Sequence, residues 1–186
     1  MGQKLFILTT AFIICADLSA KAQEAGGADE RIAVIGDMNA ESLGKSLAKI
    51  AEREKIDLFQ AVQRGSSVLD WNKHDEWLAW MGASFNPTLV IIVLGTCEAE
   101  SARGAEELAP DFTTLYESMV GDGRRIVWAK PLLTAKRKNA DAVNAAIEGS
   151  GAIWIDSNET IKVAGNALKK ADYGRWAADI AKAIGL

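Results

Sequence analysis

The segment TLVIIVLG, Thr88 to Gly95, restricts the possible folds of this chain more than any other feature. Its central residues are all apolar, with no alternation of polar and apolar positions. A strand of this kind must be covered on both faces, which is typical of a parallel sheet flanked by helices. Ile32 to Gly36 is a second continuous apolar run. The two segments therefore indicate an α/β fold.

Strand and helix patterns alternate along the rest of the chain. Further strands are predicted at 58–62, 124–130 and 151–156, and helices at 41–54, 75–81, 112–120, 140–148 and 171–184. Such alternation implies helices on both sides of a mostly parallel sheet. The prediction is a three-layer αβα domain with a mostly parallel five-stranded sheet.

The amino terminus has the features of a secretory signal. Lys4 precedes an apolar run over 5–16, and AKA at 20–22 fits the small-residue cleavage rule. The run is too short to span a bilayer. We expect a signal peptide over 1–22, a flexible lead-in over 23–30 and one domain over 31–186, exported to the periplasm or secreted. One alternative is an N-terminal helix of a cytosolic protein. Another is a lipoprotein anchored at Cys15, but the bulky Ile14 before that cysteine disfavours it.

Composition limits the classes of partner. The formal net charge is -4, and no basic stripe is visible, which argues against nucleic acid as a partner. No segment after the amino terminus has the apolar length of a membrane span. One histidine, and one cysteine beyond the signal, cannot form the common zinc sites, so we expect neither a metal nor another cofactor.

Ligands of doubly wound sheets bind beyond the carboxyl ends of the strands. The loops predicted there cover 37–41, 64–71, 96–100 and 130–134. The binding cleft is therefore predicted to contain Asp37, Met38, Asn39, Gly65, Ser66, Trp71, Thr96, Cys97 and Glu98.

Four fragments at these strand ends resemble, in order, the sequence blocks of the SGNH, or GDSL-like, hydrolases. Gly36, Asp37 and Met38 correspond to Gly-Asp-Ser, and Gly65 corresponds to the glycine of the second block. GTCE, from 95, corresponds to Gly-x-Asn-Asp, and DYGRWAADIAKAI resembles the family's final helix. The resemblance covers nearly the whole domain and implies a flavodoxin-like α/β fold.

The same resemblance implies that the catalytic residues are missing. The positions of the serine, asparagine, acid and histidine are held by Met38, Cys97, Ala164 and Ala167. The family's chemistry needs a serine activated by histidine and donors for an oxyanion. A thioether cannot attack an ester, and a thiol is a poor donor. The chain is thus predicted to be a pseudo-hydrolase.

Relocated residues offer an alternative. Cys97 or Ser66 paired with His74 would make the chain an active esterase or acetyl-hydrolase on envelope polysaccharide. The competing interpretations are a buried cysteine, a solvated histidine and a turn serine that bonds nearby backbone.

Other residues have two interpretations each. Asp37 either caps the following helix or acts as a functional anion, and Trp71 either packs in the core or stacks on a sugar. Glu98 and Glu100 either make the cleft acidic or are solvated loop charges. Lys130, Lys169 and Lys170 give a basic edge, which is most simply a solvated one.

The sequence therefore favours an exported, catalytically degenerate domain that binds an envelope glycan or a protein partner. The glycan enters only through the resemblance. A nucleotide-binding domain is disfavoured, because GDMNAESLG lacks the glycine spacing that admits a pyrophosphate.

Overall fold

A computed structural model of the chain describes residues 30–121, 123–132, 134, 138–163 and 167–186. They form a five-stranded sheet in which every neighbouring pair of strands is parallel. The predicted α/β class, with its parallel five-stranded sheet and flanking helices, is confirmed.

The strands are β1 Arg31–Gly36, β2 Asp57–Val62, β3 Leu89–Val93, β4 Arg125–Ala129 and β5 Ile153–Ile155. The helices are α1 Met38–Glu54, α2 Val68–Trp71, α3 Asp75–Ser84, α4 Thr96–Glu100, α5 Ala105–Met119, α6 Ala140–Gly149 and α7 Lys170–Ile184.

The sheet has the strand order β2-β1-β3-β4-β5, so the two most apolar strands lie side by side near its centre. Their side chains alternate between two buried clusters, one on each face. Ala33 and Ile35 of β1 belong to one cluster, and Ile32 and Val34 belong to the other. Burial on both faces explains why these strands show no polar alternation.

Several helices begin earlier than predicted or lie where the sequence predicted loops. α1 starts at Met38 rather than at 41, because Asp37 caps it. α5 starts at Ala105, because the Glu107 side chain accepts a hydrogen bond from the Gly104 amide. The predicted loop over 96–100 is the short helix α4, which follows Gly95 in a left-handed conformation.

The predicted loop over 64–71 also contains a short helix, α2. Ser67 and Asp70 form a reciprocal capping box at its start. Local side-chain bonds of this kind do not appear in hydrophobic periodicity, which is why these short helices were not predicted.

The predicted signal peptide over 1–22 lies outside the described residues, as does nearly all of the lead-in. None of the described helices combines the length and the apolarity needed to cross a membrane.

Candidate functional site

Two glycines bring the ends of the central strands together. Gly36 closes β1 at a φ of 146°, and Gly95 precedes α4 at a φ of 113°. A Cβ atom on Gly36 would lie 2.0 Å from the carbonyl oxygen of Val93, so no other residue fits there. The Asp37 amide donates to that same carbonyl at 3.2 Å. Gly36 therefore allows the start of α1 to lie against the end of β3.

Asp37 is buried, and its carboxylate accepts a hydrogen bond of 2.7 Å from the amide of Asn39. This is the N-cap bond of α1. The contact supports the interpretation of Asp37 as a cap.

Asn39 connects three helices at this edge of the sheet. Its Nδ2 donates to the Thr96 hydroxyl at 2.8 Å, and its Oδ1 accepts from the Tyr173 hydroxyl at 2.8 Å. α1, α4 and α7 are thus joined through one buried side chain. Sequence reasoning placed Asn39 and Thr96 in the cleft but missed Tyr173, although its position in the first turn of the last helix was a usable signal.

Met38 lies between these buried residues but projects outward. Its side chain is 57% exposed, whereas Asp37 and Asn39 on either side are almost completely buried. The residue after the Gly-Asp pair is therefore accessible from solvent, and a thioether is the group presented there.

The hydroxyl of Ser66 is fully engaged in the loop after β2. Ser66 is buried, donates to the Gln63 carbonyl at 2.7 Å and accepts from the indole nitrogen of Trp71 at 2.8 Å. These bonds support the interpretation of Ser66 as a turn residue. Trp71 itself is only 3% exposed, which supports core packing over stacking on a sugar.

Glu98 is not a solvated loop charge, and that expectation was wrong. It is 4% exposed, and its Oε1 accepts a hydrogen bond of 2.6 Å from the Val68 amide at the start of α2. Its Oε2 is buried without a hydrogen-bond partner among the described residues. Burial, together with repulsion from Asp37, raises the pKa of Glu98.

Cys97 and His74 each contact a different partner. The Cys97 thiol donates to the Gly65 carbonyl at 3.5 Å, and His74 Nε2 lies 2.9 Å from Gln63 Oε1. Burial, followed by repulsion from Glu98, raises the pKa of Cys97 to about 11. The reactive form of cysteine is the thiolate, so this environment makes Cys97 a poor nucleophile at neutral pH.

Lys130 is not part of a solvated basic edge, although Lys169 and Lys170 are exposed as expected. It is 2% exposed, with its Nζ 2.6 Å from Glu148 and 3.6 Å from Asp156. The same atom lies 3.7 Å from the centre of the Trp154 ring. The positive charge of Lys130 is therefore balanced by two carboxylates, and these groups and an aromatic face take the place of water around it.

The last block is only partly described. Ala164 lies outside the described residues, and Ala167 is exposed shortly before α7. Trp176 of that helix is fully buried under the sheet. Within the described part of the chain, no three His, Cys, Asp or Glu side chains are grouped as a metal site would require.

The fold is that of the SGNH, or GDSL-like, lipolytic hydrolases. No family model and no curated protein matches the chain by sequence.

Three solved structures illustrate the likeness. A GDSL-like lipase from Bacteroides thetaiotaomicron has a TM-score of 0.58 at 13% identity, over 95% of this chain and 97% of that one. The esterase EstA from a Pseudoalteromonas species has a TM-score of 0.62 at 14% identity, over 84% and 97%. A family 3 carbohydrate esterase from Clostridium thermocellum has a TM-score of 0.63 at 14% identity, over 83% and 94%.

Proposed function

We propose that this chain is an exported, catalytically degenerate SGNH-like domain that binds an envelope glycan or a protein partner. The observation that carries the proposal is the side chain after the Gly-Asp pair. The position is exposed at the start of α1, where a reacting group would be useful, and it holds Met38. A thioether cannot form an acyl intermediate with an ester.

The surrounding groups support the same conclusion. The Ser66 hydroxyl is committed to Gln63 and Trp71, and Cys97 is held as a thiol by burial and acidic neighbours. His74 is bonded to Gln63. Each candidate for a relocated nucleophile or base thus has a contact that serves the fold.

Hydrolysis of p-nitrophenyl acetate tests the proposal directly. The purified protein is assayed beside Cys97→Ala and His74→Ala variants, with EstA as the active control. We expect no rate above buffer from any form of this chain, because loss of the serine, the histidine and the acid costs about a millionfold. A clear rate that both substitutions abolish would instead establish an active esterase with relocated residues.

Export and binding are tested separately. N-terminal sequencing of the protein recovered from the periplasm or medium is expected to begin near Gln23. Retention of the purified protein on isolated envelope material, compared before and after protease treatment of that material, distinguishes a glycan from a protein partner. Retention by neither preparation contradicts the binding function.

A further inference from the structure

A cavity lies between helices α1 and α7, beside the edge that carries Met38. Its volume is about 610 Å³, which falls within the range of about 300–1,000 Å³ typical of small-ligand sites. The lining residues all come from these two helices and are Ser42, Lys45, Ser46, Lys49, Lys170 and Tyr173.

Three lysines line this cavity. Lys45 pairs with Glu41 at 2.7 Å. Lys49 and Lys170 have no carboxylate within salt-bridge distance among the residues that the structure describes. Convergent like charges repel one another, and an anion in the cavity removes that repulsion. This local positive field occurs in a chain whose formal net charge is -4.

The cavity also offers an aromatic ring and hydroxyl groups. Tyr173 is partly buried, with its ring centre 6.4 Å from that of Trp176. The Ser46 hydroxyl donates to the Ser42 carbonyl at 3.1 Å, whereas the Ser42 hydroxyl has no hydrogen bond to any described residue. A ring that can pack on a sugar face, next to hydroxyls and ammonium groups, matches a saccharide that carries negative charge.

The position of the cavity links it to the candidate site. Met38, Ser42, Ser46 and Lys49 follow one another at spacings of four and three residues, so they lie along one side of α1. Tyr173, on the opposite wall, donates its hydroxyl hydrogen to Asn39 beside Met38. The lining residue Ser42 is therefore about one helical turn from the exposed Met38.

We propose that this cavity binds an anionic saccharide, a sugar unit that carries a carboxylate or a phosphate group. Lys49 and Lys170 hold the anionic group, Ser42 bonds a sugar hydroxyl, and the Tyr173 ring packs on the sugar face. The proposal rests on the proposed function and specifies which kind of envelope glycan the domain binds.

Calorimetric titration of the full chain tests the proposal with defined probes. A short oligogalacturonate supplies carboxylates, and glucose 6-phosphate supplies a phosphate on a single sugar. The methyl ester of the same oligogalacturonate is the matched neutral probe. We expect the charged probes to bind, the ester to bind at least tenfold more weakly, and added salt to weaken the charged complexes.

A double variant identifies the cavity as the site. Lys49→Gln/Lys170→Gln is expected to weaken binding of the charged probes by about tenfold or more. Lys138→Gln/Lys182→Gln makes the same change in net charge at exposed positions away from the cavity, and it is expected to leave binding unchanged. Circular dichroism and urea unfolding of both variants show whether either is misfolded, and Lys49→Gln alone gives a milder second test.

Several outcomes overturn the proposal. Equal affinity for the charged and esterified oligomers does so, and so does equal loss of binding in both double variants. Lysine-dependent binding to vesicles of anionic phospholipid without saccharide binding would assign the cavity to a membrane surface instead.

The tests separate the two proposals. If the protein is retained on deproteinised envelope glycan, and the Lys49→Gln/Lys170→Gln variant is retained equally well, the proposed saccharide site in the cavity is refuted but the proposed function is not. Lysine-dependent saccharide binding by a chain that also hydrolyses p-nitrophenyl acetate would refute the pseudo-hydrolase alone.

Discussion

The two sides of the candidate site use polar residues in opposite ways. On the side formed by α2 and α4, the side chains of Ser66, Asp70 and Glu98 bond to nearby backbone or buried side chains. On the side formed by α1 and α7, Lys49 and Lys170 line an open cavity. The three residues of the first side stabilise the fold, whereas the two lysines of the second side are available to a ligand.

Helix length explains the difference. α2 and α4 are four and five residues long, so nearly all of their backbone groups lack partners within the helix. Neighbouring serines and carboxylates must supply those partners. α1 and α7 are 17 and 15 residues long and satisfy most of their own backbone, so fewer side chains are needed there as partners for backbone groups.

The largest effect on stability is expected at Gly36, where the backbones of β1 and β3 come together. Gly36→Ala would put a Cβ atom 2.0 Å from the Val93 carbonyl oxygen, at a φ of 146°. We expect a loss of about 3 kcal/mol or more in the free energy of unfolding, measured by urea denaturation.

Gly174→Ala is the matched control for that variant. A Cβ atom there would have no neighbour within 4 Å, and the position lies inside α7. We expect it to gain about 0.5–1 kcal/mol, as alanine is favoured over glycine in helices. Equal effects of the two substitutions would mean that Gly36 has no special structural role.

Two serines compare the sides directly. Ser66→Ala removes the acceptor of the buried Trp71 indole nitrogen, and we expect it to cost about 1–3 kcal/mol of stability. Ser42→Ala, on the cavity side, is expected to change stability by less than about 0.5 kcal/mol. Urea denaturation of both variants measures the difference, and a reversed order would contradict the proposed division of roles.

A pH-dependent effect on stability is expected from the carboxyl group of Glu98. Its pKa is raised in the folded protein above the reference value of 4.5, so the native state binds this proton more tightly than the unfolded state. The stability contributed by that proton is present below pH 4.5 and is lost as the pH rises through the folded pKa. The slope for one such group is at most about 1.4 kcal/mol per pH unit.

Glu98→Gln isolates this contribution. The amide keeps an oxygen for the Val68 amide but cannot titrate. Urea denaturation from pH 4.5 to 7.5 is expected to show a smaller decline in stability for the variant than for the wild type. Parallel curves would show that Glu98 does not couple folding to pH.

The sheet and the longer helices were predictable from the sequence. β1 and β3 lie near the centre of the sheet and are covered by helices on both faces. Nearly every position in them is therefore apolar, which the sequence shows directly. The glycine and aspartate at the end of β1 also predicted the turn from this strand into the next helix. The beginnings of α1 and α5 were predicted too late, because their caps are single local bonds with no periodic signal.

Charged residues were harder to interpret. Glu98 and Lys130 both follow buried strands and look like ordinary loop charges, yet both are buried. Their partners, the Val68 amide and the Glu148 carboxylate, lie 30 and 18 residues away in the chain. No local pattern reports a contact across such separations.

The sequence by itself determined the architecture, the absence of serine after Gly36 and Asp37, and the residue types at each strand end, because hydrophobic period and residue identity are local properties. Only the tertiary structure decided which of those residues face inward and which pair with one another. It also decided that Lys45, Lys49 and Lys170 line one cavity together with Tyr173. These depend on how α7 packs against α1, more than a hundred positions earlier in the chain. Packing at such separation is set by the whole core and cannot be deduced from either helix alone.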